Sequence, residues 1–275
     1  MSREIWAVVS DLHCGSTLGL CPESGVPLDD GGWYKPSDAQ VKLWHCWLDY
    51  WATVRERLRP DDKLIVLING DAFDGDHHRT AQILSSNLAA TQHDCAVRVL
   101  APAVALKPAA GIVIRGTEVH VGESAQYEER LAKDLGAVED PTTGAHSWWH
   151  FQAMSEGVLL DFSHHGRMGQ RPWTKVTGPA TMAAQILQAA AKHGSRYPDL
   201  VIRSHHHQEA DSYDNFPVRV IQTRGWQLST AFVHRIAAGA LPEIGGLILT
   251  CADGEVDVEK VRYNWKREEP WRLTA

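Results

Sequence analysis

Residues 5–10 form an unbroken apolar run that ends at Asp11. A run without polar alternation reads as a strand buried on both faces. The same form recurs at 64–68, ending in Asn69-Gly70-Asp71, and at 111–114, ending in Arg115-Gly116. Helical spacing takes over between these runs. Val41, Trp44, Trp47, Leu48, Trp51, Val54 and Leu58 fall along one face, and Ser37 with Gln40 makes a capping box at its start. The tryptophans on that face are expected in the core rather than as a nucleobase platform. Pro60-Asp61-Asp62 turns the chain. Residues 81–106 read as a helix broken or kinked near its end by Pro102, and 124–135 as a helix closed by Gly136. Strand-like segments follow at 148–154 and 158–162, separated by Ser155-Glu156-Gly157. A helix at 180–191 and a strand at 200–202, ending in Arg203-Ser204, come next. Further strands are expected at 218–222, 246–251 and 256–263, the last two joined at Asp253-Gly254, a hairpin signal. Residues 237–240 read as a turn. Alternating strands and helices with a strand-rich tail predict one α/β domain, residues 1–275, built around two sheets. Residues 14–36 are rich in Gly and Pro and read as an irregular insertion or cap loop.

Composition narrows the class. Hydrophobic residues make up 44% and charged residues 22% of 275, the balance of a globular protein. The formal net charge of −7 excludes a non-specific nucleic-acid coat protein. It does not exclude a nuclease, because bound metal ions offset the charge locally. The first apolar run is too short for a signal peptide, and no run reaches about 18 uncharged apolar residues. These features predict a cytoplasmic protein without membrane contact. Five scattered cysteines, none in C-x-x-C spacing, argue against a zinc ribbon or a disulfide scaffold. Cys14 is expected as a buried thiol, with a ligand role as the alternative.

Fifteen histidines change the picture, because of where they fall. Asp11 and His13 follow the first strand, Asp71 the second, and Gly116-Thr117-Glu118-Val119-His120 the third. His164-His165-Gly166 and His205-His206-His207 follow two later ones. In open α/β sheets the carboxyl ends of the strands line one crevice, so these carboxylates and imidazoles are expected to converge there. Divalent metals take such mixed oxygen and nitrogen ligands. On an extended stretch, residues two apart face the same way. That pairs Asp11 with His13 and His205 with His207, and turns His206 away.

The series Asp11-Leu12-His13, Gly70-Asp71-Ala72-Phe73-Asp74, Arg115-Gly116-Thr117-Glu118, His165-Gly166 and Ser204-His205-His206-His207 resembles the motifs of the calcineurin-like metallophosphoesterases. The motifs stand in the family's order across about three-quarters of the chain. The resemblance implies a four-layer sandwich of two mixed β-sheets flanked by helices. It implies two divalent ions, with Mn, Fe or Zn expected and Mg possible. Asp11, His13 and His207 would hold one ion, and Asp71 would bridge. Position 117, His165 and His205 would hold the other, with His164 able to take the place of His165. The implied reaction is phosphoester hydrolysis, a water between the ions attacking phosphorus in line with the leaving oxygen.

The chain departs from the family at one turn. Thr117 stands where the family has Asn, and Glu118 where it has the His that protonates the leaving group. In the family that His is oriented by the second Asp of the Gly-Asp motif, here Asp74. His120 is the candidate replacement acid, or a ligand in place of Asn; Glu118 could do either job. His77, His78, Arg167 and Arg171 are candidate substrate contacts. The remaining histidines have no partner signal. Within the family a phosphodiester substrate, with a nucleotide or nucleic acid among the options, is favoured over a phosphoprotein. A phosphomonoesterase and a metal-binding protein without activity are the alternatives. Trp33 and Tyr34 could serve a base from the 14–36 loop, pack a hydrophobic patch, or form an oligomer surface.

Overall fold

The computed structural model describes residues 3–76, 82–85, 88–169, 171–237 and 239–266. In chain order the first half runs β1 (Glu4–Val9), β2 (Val26–Pro27), β3 (Trp33–Tyr34), α1 (Asp38–Arg57), β4 (Lys63–Asn69), α2 (His93–Val104), β5 (Ala110–Ile114), α3 (Glu118–Val121) and α4 (Gln126–Asp134). The second half runs β6 (Ser147–Trp148), β7 (Phe151–Ser155), β8 (Val158–His165), α5 (Thr177–His193), β9 (Leu200–Ser204), β10 (Ala210–Asp211), β11 (Arg219–Gln222), α6 (Ala231–Ile236), β12 (Ile244–Ala252) and β13 (Glu255–Tyr263).

Two mixed sheets form. The first has the order β13-β12-β1-β4-β5-β6, the second β10-β11-β9-β8-β7. Strands β1, β4, β5 and β6 are mutually parallel, as are β8, β9 and β11. Buried strands present alternate residues to alternate layers. On β1, Ile5, Ala7 and Val9 enter a core with Leu43, Trp47 and Tyr50 of α1. Trp6 and Val8 enter a second core, between the sheets, with Leu160, Phe162 and Ile202. A third core places Ala183 of α5 on Val201 and Val220. The layers are therefore helix, sheet, sheet, helix.

The sequence signals account for most boundaries. Ser37 and Gln40 make both halves of the expected capping box, and Trp47 and Trp51 are buried. Asp253 and Gly254 close the β12–β13 hairpin with φ of 52° and 80°. Two expectations are corrected. In the 81–106 region the described helical residues begin at Leu88, and an isolated bridge pairs Ile83 with Ser16. The expected strand at 148–154 is two strands in different sheets, β6 beside β5 and β7 beside β8. Residues 14–36 contain the small β2–β3 pair, and they pack inward. Leu20, Cys21 and Val26 are buried in the first core, and Gln40 donates to the Ser16 and Gly19 carbonyls. Tyr34 packs against that core, and Trp33 donates to the Ser24 carbonyl. Cys14 is buried in the same core. Among the described residues no helix is long and apolar enough to cross a membrane.

Candidate metal centre

The parallel strands of both sheets end at one edge, and their pairing runs on past the strands themselves. Asp11 N–H donates to the Gly70 carbonyl (2.9 Å), His13 N–H to Asp71 (3.1 Å) and Cys14 N–H to Ala72 (3.0 Å). Asn69, the last residue of β4, joins the sheets by donating to Ser204 Oγ (2.6 Å) and the Ser163 carbonyl (3.2 Å). These bonds set the loops after β1, β4, β8 and β9 side by side.

The backbone there is strained. Asp11, His13, Asp71, His205 and His207 have φ of 57°, 47°, 53°, 77° and 51°. Non-glycine residues rarely adopt left-handed backbone, and such strain concentrates at functional sites. This conformation corrects the local reasoning of the sequence. Asp11 and His13 do meet in one group, whereas His205 and His207 enter separate groups of the same centre, all four through left-handed turns and not through an extended strand. His206 is exposed, with its Nε2 3.2 Å from the Gly166 carbonyl. Glycine is required at position 116, where a Cβ would lie 2.2 Å from Asp71 Oδ1.

Among the described residues four overlapping groups result, each with donor atoms within 4.8 Å of one another: Asp11–His13–His207, His13–Asp71–His120, Asp11–Asp71–His164 and His164–His165–His205. His207 Nε2 lies 3.1 Å from Asp11 Oδ1 and 3.2 Å from His13 Nε2. Asp71 Oδ2 lies 3.0 Å from His164 Nε2 and 4.0 Å from His120 Nε2. The Thr117 hydroxyl is 3.1 Å from His205 Nδ1, 3.4 Å from His165 Nε2 and 3.2 Å from Asp71 Oδ2, and its N–H donates to Asp71 Oδ1 (2.6 Å). The structure thus brings both His164 and His165 to the site.

Asp74 does two jobs. Its Oδ1 lies 3.1 Å from His13 Nδ1, and its carbonyl lies 2.6 Å from His120 Nδ1. Glu118 is exposed at the start of α3. Arg167 and Arg171 are exposed on the segment after β8. His77 and His78 lie outside the described residues.

Burial opposes charge throughout the site, and neighbours decide the outcome. His207 and His164 outweigh burial at Asp11 and bring its pKa down to about 2. Asp71 is held well below the usual carboxylate range by His164 and His120. His164, buried between two carboxylates, is lifted to about 10, Asp71 contributing most. His205 falls to about 4 through burial and the nearby His164, and His165 falls for the same reasons. The donor set fits divalent cations on the structure's own terms. Asp11 Oδ1 is buried and makes no well-directed hydrogen bond, although His207 Nε2 stands 3.1 Å away, and imidazole nitrogens face each other at contact distance.

Three residues escaped the motif reading. Glu128 is fully buried on α4, with Oε1 accepting from Ala72 N–H (3.1 Å) and Oε2 from Gly116 N–H (2.6 Å). It clamps the Asp71 and Thr117 loops together. Gln227 donates to Asp74 Oδ1 (3.0 Å), and Asn69 joins the sheets as above. Glu128 did leave a signal, a carboxylate in phase with buried Leu131 and Ala132.

No family model matches the chain, and no curated protein matches it. Solved structures match it at low identity and low TM-score. A double mutant of Vps29 from Entamoeba histolytica is 14% identical at a TM-score of 0.39, covering 94% of this chain and 99% of that one. Vps29 from Chaetomium thermophilum is 10% identical at 0.37, covering 94% and 97%. A dimetal phosphatase from Danio rerio is 10% identical at 0.43, covering 94% and 99%. The comparison assigns none of the site residues.

Proposed function

We propose that this protein is a metal-dependent phosphoesterase that hydrolyses a phosphodiester. One observation carries the reading: carboxylates and imidazoles from five strand ends form a continuous donor set with Asp71 in its middle. Asp11, His13 and His207 would hold one divalent ion, and His205, His165 or His164 and the Thr117 hydroxyl a second, with Asp71 between them. The imidazole content favours Mn, Fe or Zn over Mg. Such ions, when bound, neutralise phosphoryl oxygens and lower the pKa of water.

The chain's own residues supply the rest. Asp74 Oδ1 and Gln227 fix the His13 ring, since a bond at one ring nitrogen sets the orientation of the other. The Asp74 carbonyl holds His120 Nδ1, which leaves His120 Nε2 on the side of Asp71 and His13. That nitrogen is our candidate to deliver a proton to the leaving oxygen. Glu118, exposed and on the rim, is the second candidate. General acids of this kind contribute roughly 10²–10⁴-fold.

The test is turnover of bis(p-nitrophenyl) phosphate with added Mn²⁺ by the wild type and Asp71→Asn, with metal content measured by elemental analysis. The expected result is turnover in the wild type and a loss of at least about 10²-fold in the variant. Equal turnover would remove Asp71 from the reaction. Metal uptake with no turnover on diesters or monoesters would leave a binding protein.

A further inference from the structure

Residues 162–198 and 215–242 contain no Asp or Glu, although the chain as a whole carries a net charge of −7. Both stretches adjoin the centre. The first runs on through β8, which delivers His164 and His165, and the second contains Trp226, whose N–H donates to the Asp11 carbonyl (3.0 Å). Part of their positive charge is already engaged. Lys175 pairs with Glu243, Arg196 with Asp199, Arg219 with Asp211 and Arg224 with Glu209. Arg167, Arg171 and Arg235 are exposed and have no carboxylate partner among the described residues.

Aromatic and apolar side chains stand among these arginines. Trp173 is 74% exposed, with the Arg171 guanidinium 5.7 Å from its ring centre. Helix α6 buries none of its side chains; Phe232 is 60% and Ile236 66% exposed. The two segments are tied together and to the site. The Lys175–Glu243 pair joins the loop after β8 to the chain beyond α6. Glu243 also accepts from Glu209 N–H (2.8 Å), two residues past His207. Two segments without a carboxylate of their own, carrying open rings and arginines that have no carboxylate partner among the described residues, are therefore linked through Lys175–Glu243 to the chain beside His207.

We propose that together these two segments form a ridge that binds a single-stranded polynucleotide, Arg167, Arg171 and Arg235 taking phosphates and Trp173 and Phe232 stacking on unpaired bases. Arginine matches phosphate geometry, and base–aromatic stacking tolerates any sequence. A duplex hides its base faces, so open rings favour a single strand. A second copy of the chain is the competing occupant. In a two-fold contact the same arginines would gather round the axis and repel. The consequence rests on the hydrolase reading: the diester cut at the centre belongs to such a strand. Water adds to phosphorus as one P–O ester bond breaks. One fragment keeps a terminal phosphate, and the other takes the proton on its new hydroxyl.

Binding is measured apart from chemistry, on protein stripped of metal with EDTA. Fluorescein-labelled 12-mers of oligo(dT) and oligo(U) are titrated by anisotropy between 50 and 200 mM KCl. Three phosphate contacts on a single strand predict a log–log salt slope of about −2, a weakening of roughly 20-fold across that range. The double variant Arg171→Ala/Arg235→Ala should lose about 10-fold or more at 50 mM and bring the slope towards −1. Trp173→Ala should weaken binding by about 5-fold or more with the slope unchanged. Lys192→Ala, at the far end of α5, should bind as the wild type does. Binding of one 12-mer alone assigns the sugar. No salt-dependent binding, or equal affinity in the arginine variants, overturns the ridge. So does self-association in sedimentation that Phe232→Ala abolishes. Strand binding by these rules, with neither strand nor aryl diester hydrolysed by the metal-loaded protein, upholds the ridge and overturns the hydrolase. Aryl diester turnover without strand binding does the reverse.

Discussion

Glu128 shows how much of the centre depends on a residue that faces no ligand. Its two oxygens take N–H groups from the loops that carry Asp71 and Thr117. Burial and the charge of Asp71 push its pKa up to about 8. In Glu128→Gln one acceptor becomes an amide donor facing another N–H, so one loop is released. We expect Mn²⁺ affinity, measured by calorimetry, to fall about 10–100-fold with the circular dichroism spectrum unchanged. Wild-type affinity in the variant would show that the loops hold themselves. Asp11, His13, Asp71, His205 and His207 were readable in the sequence because strand ends converge whatever the loops do in detail. Their left-handed backbone was not readable; at Asp11 and His13 it accompanies bonds onto the Gly70–Asp71 loop, a contact between distant residues. Glu128 belongs to the same class, since its reason for being a carboxylate lies on two other segments.

Elements were readable where one setting governed the pattern from end to end. The apolar run of β4 is buried on both faces throughout, between the first and second cores, and the tryptophan face of α1 lies on the first core alone. Residues 148–155 change setting midway. Apolar character continues from β6 to β7 while Trp149 and His150 cross from one sheet to the other, and periodicity does not mark such a crossing. Packing between elements leaves a different trace, a small residue where two surfaces approach. Gly246 on β12 lies under Tyr50 of α1, whose hydroxyl donates to the Leu247 carbonyl (2.8 Å). A Cβ at Gly246 would stand 2.9 Å from Tyr50 Cε2 and 2.9 Å from the Val8 carbonyl oxygen. Gly246→Ala should therefore lift the helix or turn the ring, costing about 1–3 kcal/mol. Thermal unfolding should report a midpoint lower by roughly 2–4 °C for each kcal/mol. An unchanged midpoint would mean that Tyr50 swings aside freely.

At the scale of the molecule, the two sheets are braced beside the centre by charge as well as by the core between them. Glu209, just past His207, accepts from Arg224 and from Arg262 of β13, and Lys260 of the same strand lies 3.2 Å away. Lys260 also reaches Asp211 (2.6 Å), which Arg219 pairs from β11. One edge of the second sheet is thus clamped to the outer strand of the first. Burial disfavours the Glu209 charge, yet Arg262 and Arg224 outweigh it and bring its pKa down to about 2. Asp211 is lowered in the same way by Arg219 and Lys260. A carboxylate whose folded pKa is depressed adds stability that is complete above its unfolded value, near 4, and is lost as pH falls through the folded one. The brace should therefore be whole at pH 6 and weaken from about pH 4.5 towards 2. Glu209→Gln removes the charge at every pH, so it should cost on the order of 2 kcal/mol at pH 6 in urea unfolding. The gap to the wild type should close as the pH approaches 2, where the native glutamate is itself protonated. A gap that stayed constant with pH would assign the cost to lost packing, and the second sheet would then be held at that edge without help from charge.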